Sequence, residues 1–126
     1  MKKEVLSVGK TANNAPYSPV VRAGDLLFIS GQVALTPDGK LIDGDFEAQC
    51  RKVLDQLRGL MEEAGGSLDH LVKTTVFLAD LQNFALLNDI YREYLPSNRP
   101  ARTTIQIARL PLDAAIEIEA IAVVPD

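Results

Sequence analysis

The chain contains one cysteine, one histidine and no tryptophan. A single cysteine excludes an intramolecular disulfide, and with it the disulfide-stapled class of small secreted domains. One cysteine and one histidine also cannot supply the repeated ligand spacing of a structural zinc site. Cys50 falls on the apolar stripe of a predicted helix, where a small buried side chain is expected, and His70 begins a predicted strand. We therefore expect no metal site and no Cys–His catalysis.

Long apolar runs are missing as well, and no segment approaches the length of about 20 residues that spans a bilayer. The first ten residues, MKKEVLSVGK, lack the continuous apolar stretch of a signal peptide. Glycine-rich phosphate loops and the strained serine turn of α/β-hydrolases are also absent. These absences predict a cytoplasmic protein with no membrane association.

Positive charge is scarce, because 13 Lys and Arg face 17 Asp and Glu, for a net charge of −4 and an isoelectric point of about 4.9. The basic residues are scattered rather than gathered in one patch, so nucleic-acid binding is not favoured. The length of 126 residues, with 47% hydrophobic residues, predicts one globular domain over residues 1–126.

Apolar periodicity predicts two helices and five strands. Two short strands lie within 20–35, after a loop over 7–19. A helix over 45–64, capped by Asp43 or Asp45, precedes a strand over 70–80. A second helix over 81–95 leads to strands over 101–108 and 114–124. The order β-β-α-β-α-β-β predicts an α+β fold in which both helices cover one face of a mixed sheet.

The uncovered face of this sheet is expected to be semi-polar. Alternation assigns to it the side chains of Ser30, Gln32, Thr104, Gln106, Glu117 and Glu119, together with Phe28 and Ile121. Such a face is either solvated or pressed against another subunit. In a chain of this size we expect an oligomer.

Charged side chains alternate along the two last strands, ARTTIQIA and AIEIEAIAV. If these strands pair as a hairpin, Arg102 shares one surface with Glu117 and Glu119. One interpretation is a cross-strand ion pair on a solvated face. The other is that Arg102 binds a ligand carboxylate and that Glu119 holds or activates a water molecule.

Three residues nearer the start of the chain have structural as well as functional interpretations. Tyr17 lies in a loop, where an aromatic ring usually serves packing or an interface. Ser30 stands at a strand end, where a hydroxyl commonly closes a turn. Gly31 lacks a Cβ, so a ligand could approach its backbone N–H closely.

Three stretches together resemble the RidA (YjgF-like) family of reactive enamine and imine deaminases. They are APYSPVVRAGDLLFISGQ (15–32), VKTTVFLADLQNFALLNDIY (72–91) and RPARTTIQIARLPLDAAIEIEAIAV (99–123). The resemblance implies the fold of bacterial trimeric chorismate mutase, in which three sheets form a central barrel and ligand clefts lie at the subunit interfaces.

The resemblance also implies an activity without a metal or other cofactor, because the imine carbon is already electrophilic. The expected reaction is the hydrolysis of 2-enamino and 2-imino acids, such as 2-aminoacrylate and 2-iminobutanoate, to 2-keto acids and ammonia. Arg102 would bind the substrate carboxylate, and Glu119 would position the water with the backbone carbonyl of Thr104. Tyr17 would come from the neighbouring subunit, with Ser30 and the Gly31 amide beside the substrate. The alternatives are a regulator that binds 2-keto acids without turnover and, less favoured by the acidic charge, an endoribonuclease.

Overall fold

The longest helix lies where apolar periodicity predicts it, in a computed structural model that describes residues 2–9 and 15–126. Helix α1 spans Phe46–Glu63 and is capped at its start by Asp45, whose side chain accepts a hydrogen bond from the Ala48 N–H at 3.0 Å. Of the two predicted caps, Asp45 is therefore the one used. Gly65, with φ of +91°, turns the chain away after the last helical residues.

The second helix is shorter than predicted, because its first turn is a 3₁₀ turn over Leu81–Asn83. Helix α2 itself spans Phe84–Tyr94. An exposed ion pair joins the two helices, with Arg51 Nη1 of α1 lying 2.6 Å from the Glu93 carboxylate of α2. The apolar faces of both helices pack on the sheet and enclose the hydrophobic core.

Within residues 2–9 and 15–126, six strands form one mixed sheet in the order β1-β2-β3-β6-β4-β5. Their bounds are β1 Lys3–Val5, β2 Val20–Ala23, β3 Leu26–Gln32, β4 Leu71–Leu78, β5 Ala101–Gln106 and β6 Ile116–Val123. Strands β4 and β5 are parallel, and α2 forms the crossover between them. The predicted α+β class, a mixed sheet backed by two helices, is confirmed, and the short strand β1 is added to it.

The predicted hairpin between the last two strands is wrong. Strand β4 lies between them and pairs with β5 on one side and with β6 on the other. The reason is that β5 follows a helical crossover and therefore joins β4 in parallel at the edge of the sheet. The connection through the 3₁₀ turn Pro111–Asp113 then carries the chain past β4, and β6 takes the central position between β4 and β3.

This pairing also decides which face each side chain occupies. Ile118 and Ala120 of β6 are buried against the helices, as expected from the alternation that assigns Glu117 and Glu119 to the uncovered face. Ala120 lies opposite Thr74 of β4, and Thr74 lies opposite Arg102 of β5. Since residues that lie opposite each other share a face, Arg102 projects on the helix-covered side of the sheet.

The expectation that Thr104 and Gln106 lie on the uncovered face is wrong for the same reason, because alternation places them on the side of Arg102. Gln106 confirms this direction, since its Oε1 accepts a hydrogen bond from the Leu81 N–H at 2.8 Å, at the start of the α2 segment. Strand β5 therefore has the predicted alternation but the opposite orientation in the sheet.

The uncovered face carries both carboxylates of β6 and several apolar side chains. Phe28 is 42% exposed and Ile105 is 41% exposed, with Leu26 and Val123 in similar positions. Single exposed apolar residues are ordinary, but a group of them on one sheet face is suited to contact with another chain. In the part of the chain that the structure describes, no helix combines the length and apolar character needed to cross a membrane.

Candidate functional site

Arg102 is held on the surface of helix α2. Its Nη2 donates a hydrogen bond to Asn88 Oδ1 at 2.6 Å. The guanidinium carbon lies 4.8 Å from the ring centroid of Tyr91 and 5.6 Å from that of Phe84. Both distances are within the range of cation–π attraction. Positions 84, 88 and 91 lie on one side of a helix, so a single stretch of α2 supports the whole guanidinium.

The support beneath Arg102 is itself tied to the sheet. The hydroxyl of Tyr91 lies 2.6 Å from Oγ1 of Thr74, and both residues are buried. Burial raises the pKa of Tyr91, and the hydrogen bond with Thr74 opposes this shift. The phenol is therefore neutral and fixed in position, and the ring that it carries is a rigid platform for the guanidinium.

Arg102 forms no salt bridge within residues 2–9 and 15–126. The cross-strand ion pair that the sequence suggested is therefore not made, since Glu117 and Glu119 lie on the other face of the sheet. Asn88 uses only one N–H of a group that carries several. The remaining donors can form the paired hydrogen bonds with a carboxylate for which a guanidinium is well shaped.

Gly31 and Glu117 form a second group, away from Arg102. The pairing of β3 with β6 shifts between Ile29 and Gln32, so that Ser30 and Gly31 together oppose one residue, Glu119. A Cβ at Gly31 would overlap the carboxyl group of Glu117. The absence of a side chain at Gly31 is what allows this close approach.

Burial raises the pKa of the Glu117 carboxyl, and the nearby charge of Glu119 raises it further. Such a carboxyl accepts and returns protons nearer to neutral pH than an ordinary glutamate does. Sequence reasoning placed both carboxylates on this strand but selected Glu119. Because alternation gives them the same face, only the contact with Gly31 and the unequal burial distinguish the two.

Glu119 is exposed and lines a hollow of about 150 Å³ on the uncovered face, together with Phe28, Lys73 and Thr75. The ammonium group of Lys73 donates hydrogen bonds to Thr103 Oγ1 at 2.9 Å and to the Thr74 carbonyl at 3.1 Å. Glu119 is thus accessible to a ligand or to a second chain.

Ser30 and Tyr17 are linked through the loop that carries the tyrosine. The Ser30 hydroxyl donates to the Ser18 carbonyl at 2.7 Å, and the Ser30 N–H donates to the Pro19 carbonyl at 2.9 Å. The Ser30 hydroxyl thus ties strand β3 to the loop that carries Tyr17. Tyr17 is 58% exposed and projects from the anchored loop.

The structure thus sorts the predicted site residues into separate places. Arg102 and Thr104 lie together on the helix side of the edge strand. Ser30 and Gly31 lie at the β3 bulge, and Glu119 lies on the uncovered face opposite that bulge. No group of three or more His, Cys, Asp or Glu side chains that could hold a metal ion occurs among the described residues.

Sequence reasoning missed the residues that support Arg102, namely Phe84, Asn88 and Tyr91. They lie on one face of the helix predicted over 81–95, and no role at Arg102 was predicted for them. The signal that could have found them is Asn88, a polar side chain in the middle of that face. A half-buried amide oxygen is usually paired with a hydrogen-bond donor, and here the donor is the Arg102 guanidinium.

Comparisons with known proteins place this chain in a family. A family model described as endoribonuclease L-PSP matches residues 9–124. Reactive Intermediate Deaminase A, a chloroplastic protein of Arabidopsis thaliana, is 44% identical over 124 residues, which cover 97% of this chain and 66% of that protein.

Solved structures with the same fold indicate the same family. The crystal structure of YyfA from Yersinia pestis, described as a protein of unknown function of the conserved Rid family, has a TM-score of 0.89 and 38% identity. The match covers 98% of this chain and all of that one. Escherichia coli TdcF with bound serine has a TM-score of 0.82 and 34% identity, over 92% of this chain and 96% of that one. The chain therefore belongs to the Rid family.

Proposed function

We propose that this protein hydrolyses reactive 2-enamino and 2-imino acids to 2-keto acids and ammonia, with 2-iminopropanoate and 2-iminobutanoate as substrates. The proposal rests on one observation about Arg102: its guanidinium has free N–H donors and forms no salt bridge among the described residues. The deaminase name of the Arabidopsis relative and the serine held by the E. coli relative support a small carboxylate ligand of this kind.

The reaction needs orientation and proton transfer rather than a cofactor. An enamine such as 2-aminoacrylate gains a proton at C3 and loses one from nitrogen, which gives the imine, whose C2 is electrophilic. Water then adds to C2, and one of its protons passes to the nitrogen. The second proton passes from the new hydroxyl group to the nitrogen as the C–N bond breaks, which releases ammonia and leaves the keto group. Arg102 would hold the carboxylate, so that C2 is presented to a placed water molecule.

A carboxylate would take the proton from that water and return it to the nitrogen. Sequence reasoning gives this role to Glu119. The raised pKa of Glu117 and its contact with Gly31 support Glu117 instead, because a proton carrier works best with a pKa near the working pH. Glu119 stays the second candidate, and the two variants described below decide between them.

A second copy of the chain would complete this site. Arg102 and Thr104 lie on the helix side of β5, whereas Glu117 and Glu119 lie on the opposite face of the sheet. A ligand as small as a 2-imino acid would bridge these groups where the edge strand of one chain meets the uncovered face of the next. We therefore propose a homotrimer with clefts between subunits, in which Tyr17 reaches the cleft of its neighbour. Cytoplasmic location and the absence of a nucleic-acid partner stay predictions from the sequence.

The decisive assay measures keto-acid release by a serine or threonine dehydratase with and without the added protein. The wild type should accelerate release, and Arg102→Ala should abolish the acceleration while the oligomeric state is unchanged. Arg92→Ala is the matched control, because it removes an exposed arginine that pairs with Asp89. An unchanged rate with the wild type would rule out the deaminase.

The same assay assigns the carboxylate. Glu117→Gln should lose most of the acceleration, and Glu119→Gln should retain it, if Glu117 carries the proton. The opposite result would restore Glu119. Binding of 2-oxobutanoate without any acceleration of release would instead support the regulator that binds keto acids without turnover.

A further inference from the structure

The side-chain hydroxyl of Thr104 is buried without a hydrogen-bond partner. It is the one side-chain oxygen or nitrogen in this condition among the residues that the structure describes. An unpaired buried hydroxyl costs free energy comparable to a lost hydrogen bond, whereas a valine of nearly the same shape would cost nothing of this kind. The hydroxyl therefore does not serve the stability of the isolated chain, and its presence needs another explanation.

The position of Thr104 connects this hydroxyl to Arg102. The two residues are separated by one position on β5, so their side chains project on the same face of the strand. Strand β5 is the edge of the sheet, and no further strand among the described residues lies beyond it. A ligand that approaches Arg102 along this edge therefore meets Thr104 as the next side chain on the same face.

The hydroxyl can be brought to such a ligand without moving the backbone. Thr104 as a whole is half-buried, although its Oγ1 is covered. A rotation about χ1 moves Oγ1 from its covered position to another staggered position, from which it can reach a ligand. A ligand that accepts a hydrogen bond would favour the rotated side chain, because Oγ1 has no hydrogen-bond partner in its covered position.

We propose that the Thr104 hydroxyl recognises the atom on C2 of a carboxylate bound to Arg102, a 2-oxo oxygen or a 2-imino nitrogen. This inference rests on the proposed function and adds the residue that determines its specificity. The side chain separates 2-oxo and 2-imino acids from simple carboxylic acids, which offer the same carboxylate but no second acceptor. A site built to hydrogen-bond such a group discriminates strongly against ligands that lack it.

The test compares two ligands of equal length, 2-oxobutanoate and butanoate, by calorimetric titration of the full chain. Thr104→Val should weaken binding of 2-oxobutanoate by about three- to tenfold, as expected for one hydrogen bond, and leave butanoate binding unchanged. Thr104→Ser, which keeps the hydroxyl, should retain the preference. Thr104→Val should melt at the same temperature as the wild type or higher, because it removes an unpaired buried group.

The two proposals fail in different ways. If Thr104→Val keeps the full preference for 2-oxobutanoate while the dehydratase assay still shows acceleration, the role of Thr104 is wrong and the deaminase stands. If Thr104→Val loses the preference but the wild type does not accelerate release, Thr104 recognises the ligand and the deaminase is wrong. A changed oligomeric state in Thr104→Val with an unchanged preference would also overturn the inference, because the partner of the hydroxyl would then be another chain.

Discussion

Substitution of Asn88 by aspartate tests whether the α2 surface prepares Arg102 for a carboxylate ligand. Asn88 Oδ1 accepts a hydrogen bond of 2.6 Å from the guanidinium, and the change to aspartate preserves the shape of the side chain. The new carboxylate would pair with Arg102 and occupy the donors that a ligand needs. It would also place a negative charge next to the carboxylate of the incoming ligand.

The magnitude follows from the contact. A hydrogen bond to a charged group contributes about 1.5–3 kcal/mol, and Arg102 is half-buried, so the lower end applies. Asn88→Ala, which removes this contact, should lower kcat/KM by about tenfold. Asn88→Asp should lower it by about 100-fold, because the ligand must also displace a competing carboxylate.

The assay is dehydratase-coupled keto-acid release, together with thermal unfolding of each variant. Asn88→Asp should unfold no earlier than the wild type, since it strengthens the contact with Arg102 while reducing activity. Asn83→Asp is the matched control: it makes the same change at the start of α2, where Asn83 forms no capping hydrogen bond. If Asn88→Asp is as active as the wild type, the free guanidinium of Arg102 does not bind the substrate.

Three further predictions test the surroundings of the site. Burial, and then the charge of Glu119, raise the pKa of Glu117 above its ordinary 4.5. The contribution of this carboxyl to the stability of the folded protein is therefore fully present below pH 4.5, and it is lost as the pH rises through the raised pKa. Glu117→Gln should therefore melt with the wild type at pH 4 and on the order of 2 °C above it at pH 8; a constant difference across this range would contradict the shift. Gly31→Ala should lower the free energy of unfolding by about 1–2 kcal/mol in urea titrations, because the new methyl group overlaps the Glu117 carboxyl, and an unchanged midpoint would show that this carboxyl moves freely. Burial raises the pKa of the Cys50 thiol to about 12, so iodoacetamide at pH 8 should alkylate the native protein about 1,000-fold more slowly than the urea-unfolded chain, because the thiolate is that much rarer. Equal rates would show that the core opens readily.

Much of the fold was predictable because its signals are local. Helix α1 lies within the predicted 45–64, and Asp45 caps it as its sequence position suggested. The alternation of β6 correctly assigned Ile116 and Ile118 to the core and Glu117 to the uncovered face. In each case the information lies within a few residues of chain, in the periodicity of apolar positions and in one side chain that can accept the first helical N–H groups.

The candidate site was predictable only in part. Arg102 stood out as a charged residue at the start of a half-buried strand, and Gly31 as a place where a backbone could be approached. The same alternation left the orientation of β5 undecided. It divides the residues of a strand into two sets on opposite faces, but it does not show which set faces the helices. The choice of the wrong partner strand then placed Arg102 beside the carboxylates of β6, from which the sheet separates it.

The sequence by itself determined the helices, most strand positions, the alternation of side chains along β5 and β6, and the family resemblance. The tertiary structure decided which strand lies between Arg102 and Glu117, which helix supports the guanidinium, and that a hydroxyl at Thr104 is left unpaired. These features depend on contacts between residues far apart in the chain, such as Asn88 with Arg102 and Gly31 with Glu117. Local sequence patterns cannot predict such contacts, because the pairing of strands is decided by the packing energy of the whole hydrophobic core.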